Sequence, residues 1–181
     1  MTCLTVYHET SPDIPNKVLS HFEDIAATLA EHGIRFERQT PAGKVMPGSG
    51  AQSVIEACGK ELGELSLVYG YPDTEIISLN RDHAQKAEYR GRFLDERRHA
   101  AAESWFLAGG RGLLNVRVGQ HVFALLCEKG DIVTLASGTR YWLDLGEEPH
   151  IVLVRLYSEA EGGLAEVTDK SIAARFPRLD D

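Results

Sequence analysis

The chain is poor in several features that mark whole classes of protein. It has three cysteines in 181 residues, Cys3, Cys58 and Cys127. The count is odd and no Cys-x-x-Cys spacing occurs, so reduced thiols fit better than a disulfide frame. No apolar run approaches the roughly 20 residues of a membrane helix. A basic stretch followed by an apolar one is missing at the start, so no export signal is read there. Positive charge is scarce as well: 19 Lys and Arg stand against 27 Asp and Glu, for a net charge of −8. Neutralising nucleic-acid phosphates takes clustered cations on one face, so no nucleic-acid partner is expected. The expectation is a soluble, cytoplasmic protein without a membrane or nucleic-acid partner.

What is present is enough apolar content, 43%, for one well-buried core at this length. Leu4–Tyr7 reads as a short strand, broken by Ser11-Pro12-Asp13-Ile14-Pro15. Phe22, Ile25, Ala26 and Leu29 recur at helical spacing over residues 22–31, with Gly33 as the stop. Residues 34–38 alternate as a strand, and a Pro/Gly-rich loop over 41–50 leads to a second helical stripe over 53–67 (Val54, Ile55, Cys58, Leu62, Leu65). Residues 75–79 read as a strand and 84–94 as a short charged helix.

After Glu103 the character changes. Residues 104–108, 112–118, 121–127, 131–135 and 151–157 are five strand candidates separated by turn residues, among them Gly109-Gly110-Arg111-Gly112, which suggests an antiparallel sandwich or barrel. The expected organisation is one domain over 1–181, in which 1–94 is a helical and stranded extension packed on a barrel core over 95–181. The start of that core holds the most suggestive chemistry: Arg97, His99 and Glu103. An imidazole and a carboxylate four residues apart can share a metal such as iron, nickel or manganese when barrel side chains converge inward. Two donors hold a metal weakly, so a third is needed from elsewhere.

Many short motifs in order resemble the acireductone dioxygenase family, a branch of the cupins. They include Gly33 through Arg38, Ile77-Ser78-Leu79, Lys86 through Phe93, Gly110-Arg111-Gly112-Leu113, Val122-Phe123, Cys127 through Asp131 and Trp142. Arg155-Leu156-Tyr157, Glu161-Gly162, Ile172-Ala173 and Phe176 through Leu179 extend the likeness almost to the end. The resemblance implies a mainly β fold with α elements, a cupin (double-stranded β-helix) barrel with an N-terminal α/β extension, and a monomer. It also implies an enzyme that holds iron or nickel with three His and one Glu and cleaves an enediol with dioxygen. Carried over position by position, His99 and Glu103 match metal ligands. Arg97 stands where the leading His is expected, Tyr141 where the last His is expected, and Trp105 where a substrate-holding Arg is expected. Arg155 matches another pocket Arg, and Phe93 and Trp142 match aromatic positions.

The resulting site set is Arg97, His99, Glu103, Tyr141 and Arg155 for catalysis, with Phe93, Trp105 and Trp142 lining a substrate pocket. Three functional expectations follow. In one, His99 and Glu103 still hold iron or nickel, completed by Tyr141 and by His150, and dioxygen is a partner. In the second, Arg97 replaces the metal's charge with Arg155 as a second clamp, Glu103 or His99 acts as base and Tyr141 as acid, and no cofactor is needed. The substrate is then a small anionic keto or enediol metabolite, and ordinary acireductone cleavage is not expected. In the third, the barrel binds a small molecule without chemistry, and Arg97 with Glu103 is a plain salt bridge.

Overall fold

A computed structural model describes residues 1–158, 160 and 165–180; the Glu161-Gly162 motif lies outside them. Strands β1 (Cys3–His8) and β2 (Pro15–Leu19) form a hairpin. Pro15 opens β2, which pairs with β1 alone and is mostly exposed; an edge strand tolerates a residue without an N–H. Helix α1 (Phe22–Ala30) buries Ile25 and Leu29, one turn apart on one face, and Gly33 follows with φ +75°. Strand β3 (Arg35–Arg38) leads to helix α2 (Ala51–Tyr69), which buries Val54, Cys58, Leu62 and Leu65 and ends at the left-handed Gly70. Strand β4 (Asp73–Leu79) and helix α3 (Lys86–Phe93) complete this half.

The remaining strands are β5 (Glu96–Arg98), β6 (Glu103–Val118), β7 (His121–Glu128), β8 (Asp131–Leu135), β9 (Arg140–Asp144), β10 (Ile151–Tyr157) and β11 (Glu166–Asp169), followed by a 3-10 turn over Ala173–Arg175. One sheet runs β2-β1-β7-β6-β9-β5-β11. The other contains β4, β10, β6, β8 and β3. All pairs are antiparallel, and β6 belongs to both sheets: its first half pairs with β10 and β8, its second with β7 and β9. Strands from the first 94 residues thus extend both sheets, since β1 pairs with β7, β3 with β8 and β4 with β10.

The glycine run 109–112 was expected to be a turn between two strands, but it lies inside the continuous β6. The register against β10 shifts between Val152 and Leu153. Gly110 takes φ +73°, and a Cβ there would lie 1.7 Å from the His150 carbonyl oxygen. Glycine here bends one strand from sheet to sheet while its backbone presses against β10.

Three apolar layers result. The barrel interior holds Leu4, Ile77, Trp105, Phe123, Tyr141 and Leu153 among others, closed at one side by α1. The outer face of the second sheet, with Phe106, Ile132 and Val154, is covered by α2. The outer face of the first, with Tyr7, Val122 and Trp142, lies under Ile172, Ala173 and Phe176. Each fully buried Leu, Ile or Phe contributes about 1.5–3 kcal/mol relative to an exposed one. Among the described residues no helix is long and apolar enough to cross a membrane.

Candidate active site

Strand pairing builds the site at one end of the barrel. Glu75 of β4, Arg155 of β10 and Trp105 of β6 are direct cross-strand partners, and Trp105 faces Val133 of β8. Directly paired residues share a face of the sheet, so this row points into the barrel. From the other sheet, Arg97 of β5 is paired with Tyr141 of β9. Residues 99–102 connect β5 to β6 and bring His99 beside Glu103.

Arg155 is the hub. Its Nε donates to Glu103 Oε2 at 2.6 Å and its Nη2 to His99 Nε2 at 2.9 Å. Its guanidinium lies 4.0 Å from the Tyr157 ring centroid and 5.7 Å from that of Trp105, and Nη1 is 3.8 Å from Glu75 Oε1. The same Nη2 lies 3.4 Å from His99 Nδ1; a guanidinium only donates, so the imidazole accepts from it through a ring nitrogen that carries no proton. Burial lowers its pKa; Glu103 opposes that, while Arg155, Arg97 and Arg92 add to it. Glu75 is in turn gripped by Arg92 at 2.7 and 3.0 Å.

Tyr141 is 1% exposed. Burial first, then the nearby charge of Glu103, push the phenol well above its ordinary range, which favours the phenol over the phenolate. Its ring stacks near His99 at 6.5 Å between centroids and meets Trp105 edge-on at 6.0 Å. Arg97 is 8% exposed, and its Nε has no hydrogen-bond partner. It lies 5.2 Å from the centroid of the Phe93 ring. Burial lowers its pKa below that of an ordinary Arg, against the fields of Tyr141, Asp95 and Glu103. A narrow surface cleft is lined by His99, Glu103, Arg155 and Tyr157.

Phe93, Arg97, His99, Glu103, Trp105, Tyr141 and Arg155 therefore converge, as the sequence reading placed them. Three expectations need correction. The cation between His99 and Glu103 is Arg155, not Arg97, and the ion pair of Glu103 is likewise with Arg155. Trp142 does not line the pocket: alternation along β9 turns Tyr141 inward and Trp142 outward, where it packs 5.8 Å from Phe176. His150 is exposed and precedes β10, five residues from Arg155 and so about 16 Å away along the strand; it is no ligand for a site at the other end. Glu75, Arg92 and Tyr157 were missed. Glu75 is signalled only by its cross-strand register with Arg155, Tyr157 by its place two residues beyond Arg155 on β10, and Arg92 by nothing but its grip on Glu75.

The metal donors brought together are His99 and Glu103. Among the described residues no group of three His, Cys, Asp or Glu is placed to hold a metal ion.

A model of the ARD/ARD' family matches residues 4–165. Acireductone dioxygenases from Pseudomonas fluorescens (strain Pf0-1) and Pseudomonas syringae pv. tomato are each 49% identical to this chain over 181 residues, covering 100% of both partners. The chain belongs to the acireductone dioxygenase family. In structure it is similar to an acireductone dioxygenase from Bacillus anthracis with a cadmium ion in its active centre, at a TM-score of 0.76 and 20% identity, over 92% of this chain and 98% of the other. That likeness shows the shared family fold, the cupin barrel.

Proposed function

We propose that this acireductone dioxygenase family member acts on a small anionic keto or enediol metabolite without a metal, using a guanidinium where the family's chemistry places a dication. One observation carries the reading: Arg155 sits between the two candidate ligands and engages Glu103 Oε2 at 2.6 Å and His99 Nε2 at 2.9 Å. Each of those bonds takes up a lone pair that a metal could otherwise use. The third candidate, Tyr141, coordinates only as a phenolate, and its surroundings favour the phenol. A further cation, Arg97, is close enough for its field to act on His99. This donor set does not fit iron or nickel.

The residues present suit proton transfer next to a carbonyl. Arg155 and Arg97 offer positive charge to an anionic substrate and its enolate. Glu103 is the oxygen base and His99 the neutral nitrogen base, and Tyr141 is the buried donor for the carbonyl oxygen as its charge develops. The reaction class is a keto–enol isomerisation, or a lyase step that begins with one. Trp105 and Phe93 give the ligand an aromatic wall in place of a further cation.

The test is metal analysis of protein purified after growth with iron and nickel, followed by NMR of α-proton exchange of 2-oxobutanoate in D2O with and without chelator. The expected result is substoichiometric metal and exchange that survives chelation. Stoichiometric iron or nickel, with oxygen uptake on acireductone that chelation abolishes, would instead establish a metal-dependent dioxygenase. Ligand-raised melting temperature without exchange would leave a binding cupin.

A further inference from the structure

We infer that Arg97 is the receptor for a carboxylate on the ligand, so that the molecule this site takes is a small monocarboxylate with its carbonyl toward Arg155. The inference deepens the metal-free reading above and rests on it for the orientation of the carbonyl, but not for the carboxylate itself.

Among the described residues, the other guanidinium groups around the site are ion-paired. Arg92 is held in two-pronged fashion by Glu75 at 2.7 and 3.0 Å, and Arg155 is paired with Glu103 at 2.6 Å. None of the site's ion pairs among the described residues includes Arg97. Its Nε is buried without a partner, and the residue is 8% exposed. Asp95 and Glu103 act on it only through space, while Arg92 repels it. The neighbours in contact with it or paired across from it are the Phe93 ring at 5.2 Å, Tyr141 and Val167; none supplies a negative charge. Nor does His99, whose ring stacks on Tyr141.

A buried guanidinium without a counter-charge destabilises a fold, and replacing it with an apolar residue of similar size commonly restores stability. Arg155, the other buried guanidinium among the described residues, is compensated within the chain by Glu103. Arg97 is instead held in place, by strand pairing and by the Phe93 ring, with donor capacity left over. A planar carboxylate matches the free fork of a guanidinium, and one such group supplies the single missing negative charge. Two carboxylates would over-compensate it, which is why a monocarboxylate is inferred.

The experiment compares two probes of the same shape, 2-oxobutanoate and its neutral amide, on full-length protein, wild type, Arg97→Met and Arg97→Lys. Binding is read by calorimetry and by the ligand-induced shift in melting temperature. Wild type is expected to bind the acid and not the amide. Arg97→Met should melt at or above the wild-type temperature without ligand and bind the acid about 10- to 100-fold more weakly. Arg97→Lys, which keeps the charge and loses the fork, should fall between. The inference is overturned if wild type ignores the acid, if it binds acid and amide alike, or if Arg97→Met is destabilised yet responds to the acid undiminished. Metal content is measured on the same samples. Stoichiometric metal together with Arg97-dependent binding would defeat the metal-free reading and leave the carboxylate receptor standing. Metal-free protein with Arg97-independent binding would do the reverse.

Discussion

At the end of β9, Asp144 is 1% exposed and receives four donors: Arg90 Nε at 2.8 Å, Arg90 Nη2 at 3.2 Å, Gly146 N–H at 2.9 Å and Leu179 N–H at 3.1 Å. On the neighbouring strand β5, Arg97 is also buried and its Nε donates to nothing. Asp131 is like Asp144: it accepts from Thr2, Arg38 and the backbone of Glu128. The chain can close a buried charge completely, and it does so where the charge ties the C-terminal segment, α3 or the N-terminus to the barrel. Closure stops at Arg97, and also at Glu61 of α2, whose Oε1 accepts from the Ala42 N–H while its Oε2 has no partner. The saturated networks tie the architecture together, and the open guanidinium lies among the candidate site residues.

That contrast can be broken by substitution. The largest effect is expected for Arg155→Met, which strands the buried Glu103 carboxylate. Urea unfolding should show a loss of about 3–5 kcal/mol, with exchange of 2-oxobutanoate abolished; a loss below about 1 kcal/mol would mean that Glu103 does not depend on Arg155. Gly110→Ala comes next, because its methyl group would overlap the His150 carbonyl at a positive φ. A cost of about 3 kcal/mol is expected, and since β6 must then shift against β10, stability and turnover should fall together. Asp144→Asn should cost about 2 kcal/mol and leave 2-oxobutanoate binding unchanged; a change in affinity would show that the two clusters communicate.

The same variant carries a pH signature. Burial raises the Asp144 pKa, but the hydrogen bonds from Arg90, Gly146 and Leu179 outweigh it, and the folded value lies below that of an ordinary Asp. A depressed carboxyl contributes its stabilisation above the unfolded pKa, about 3.9, and loses it as pH falls through the folded value. Asp144→Asn should therefore flatten the acid limb of the stability curve below about pH 4, as followed by thermal melts in a pH series. The smallest stability change is expected for Arg97→Met, near zero or favourable, which puts the open cluster at the opposite extreme from the closed ones.

Much of this was legible in the chain itself. The helical stripes over Phe22–Ala30 and Ala51–Tyr69 appear within about two residues of their expected ends, because each is a long, strongly periodic apolar face. His99, Glu103 and Arg155 were named as a group through the family pattern, and they meet. What was not legible depends on register or on shortness. β5 is three residues long, too brief for alternation to stand out, and β9, which follows Gly138-Thr139, is not among the five strand candidates. Without that strand nothing in the chain shows that Tyr141 and Trp142 point to opposite faces. Glu75 lies 80 positions before Arg155 in a strand that looks ordinary, and only pairing across β4 and β10 makes it part of the site.

The bend at Gly109–Gly110 has a consequence for how the molecule comes apart. Because β6 is hydrogen-bonded to β8 and β10 along its first half and to β7 and β9 along its second, neither sheet can peel open while the other keeps its pairing with that strand. Amide hydrogens in the middle of β6 should be the last to exchange with deuterium, at the rate of global unfolding, while the β1–β2 edge hairpin exchanges by local fraying. The barrel is in this sense a single cooperative unit with one spine, and heat should melt both of its sheets in one transition.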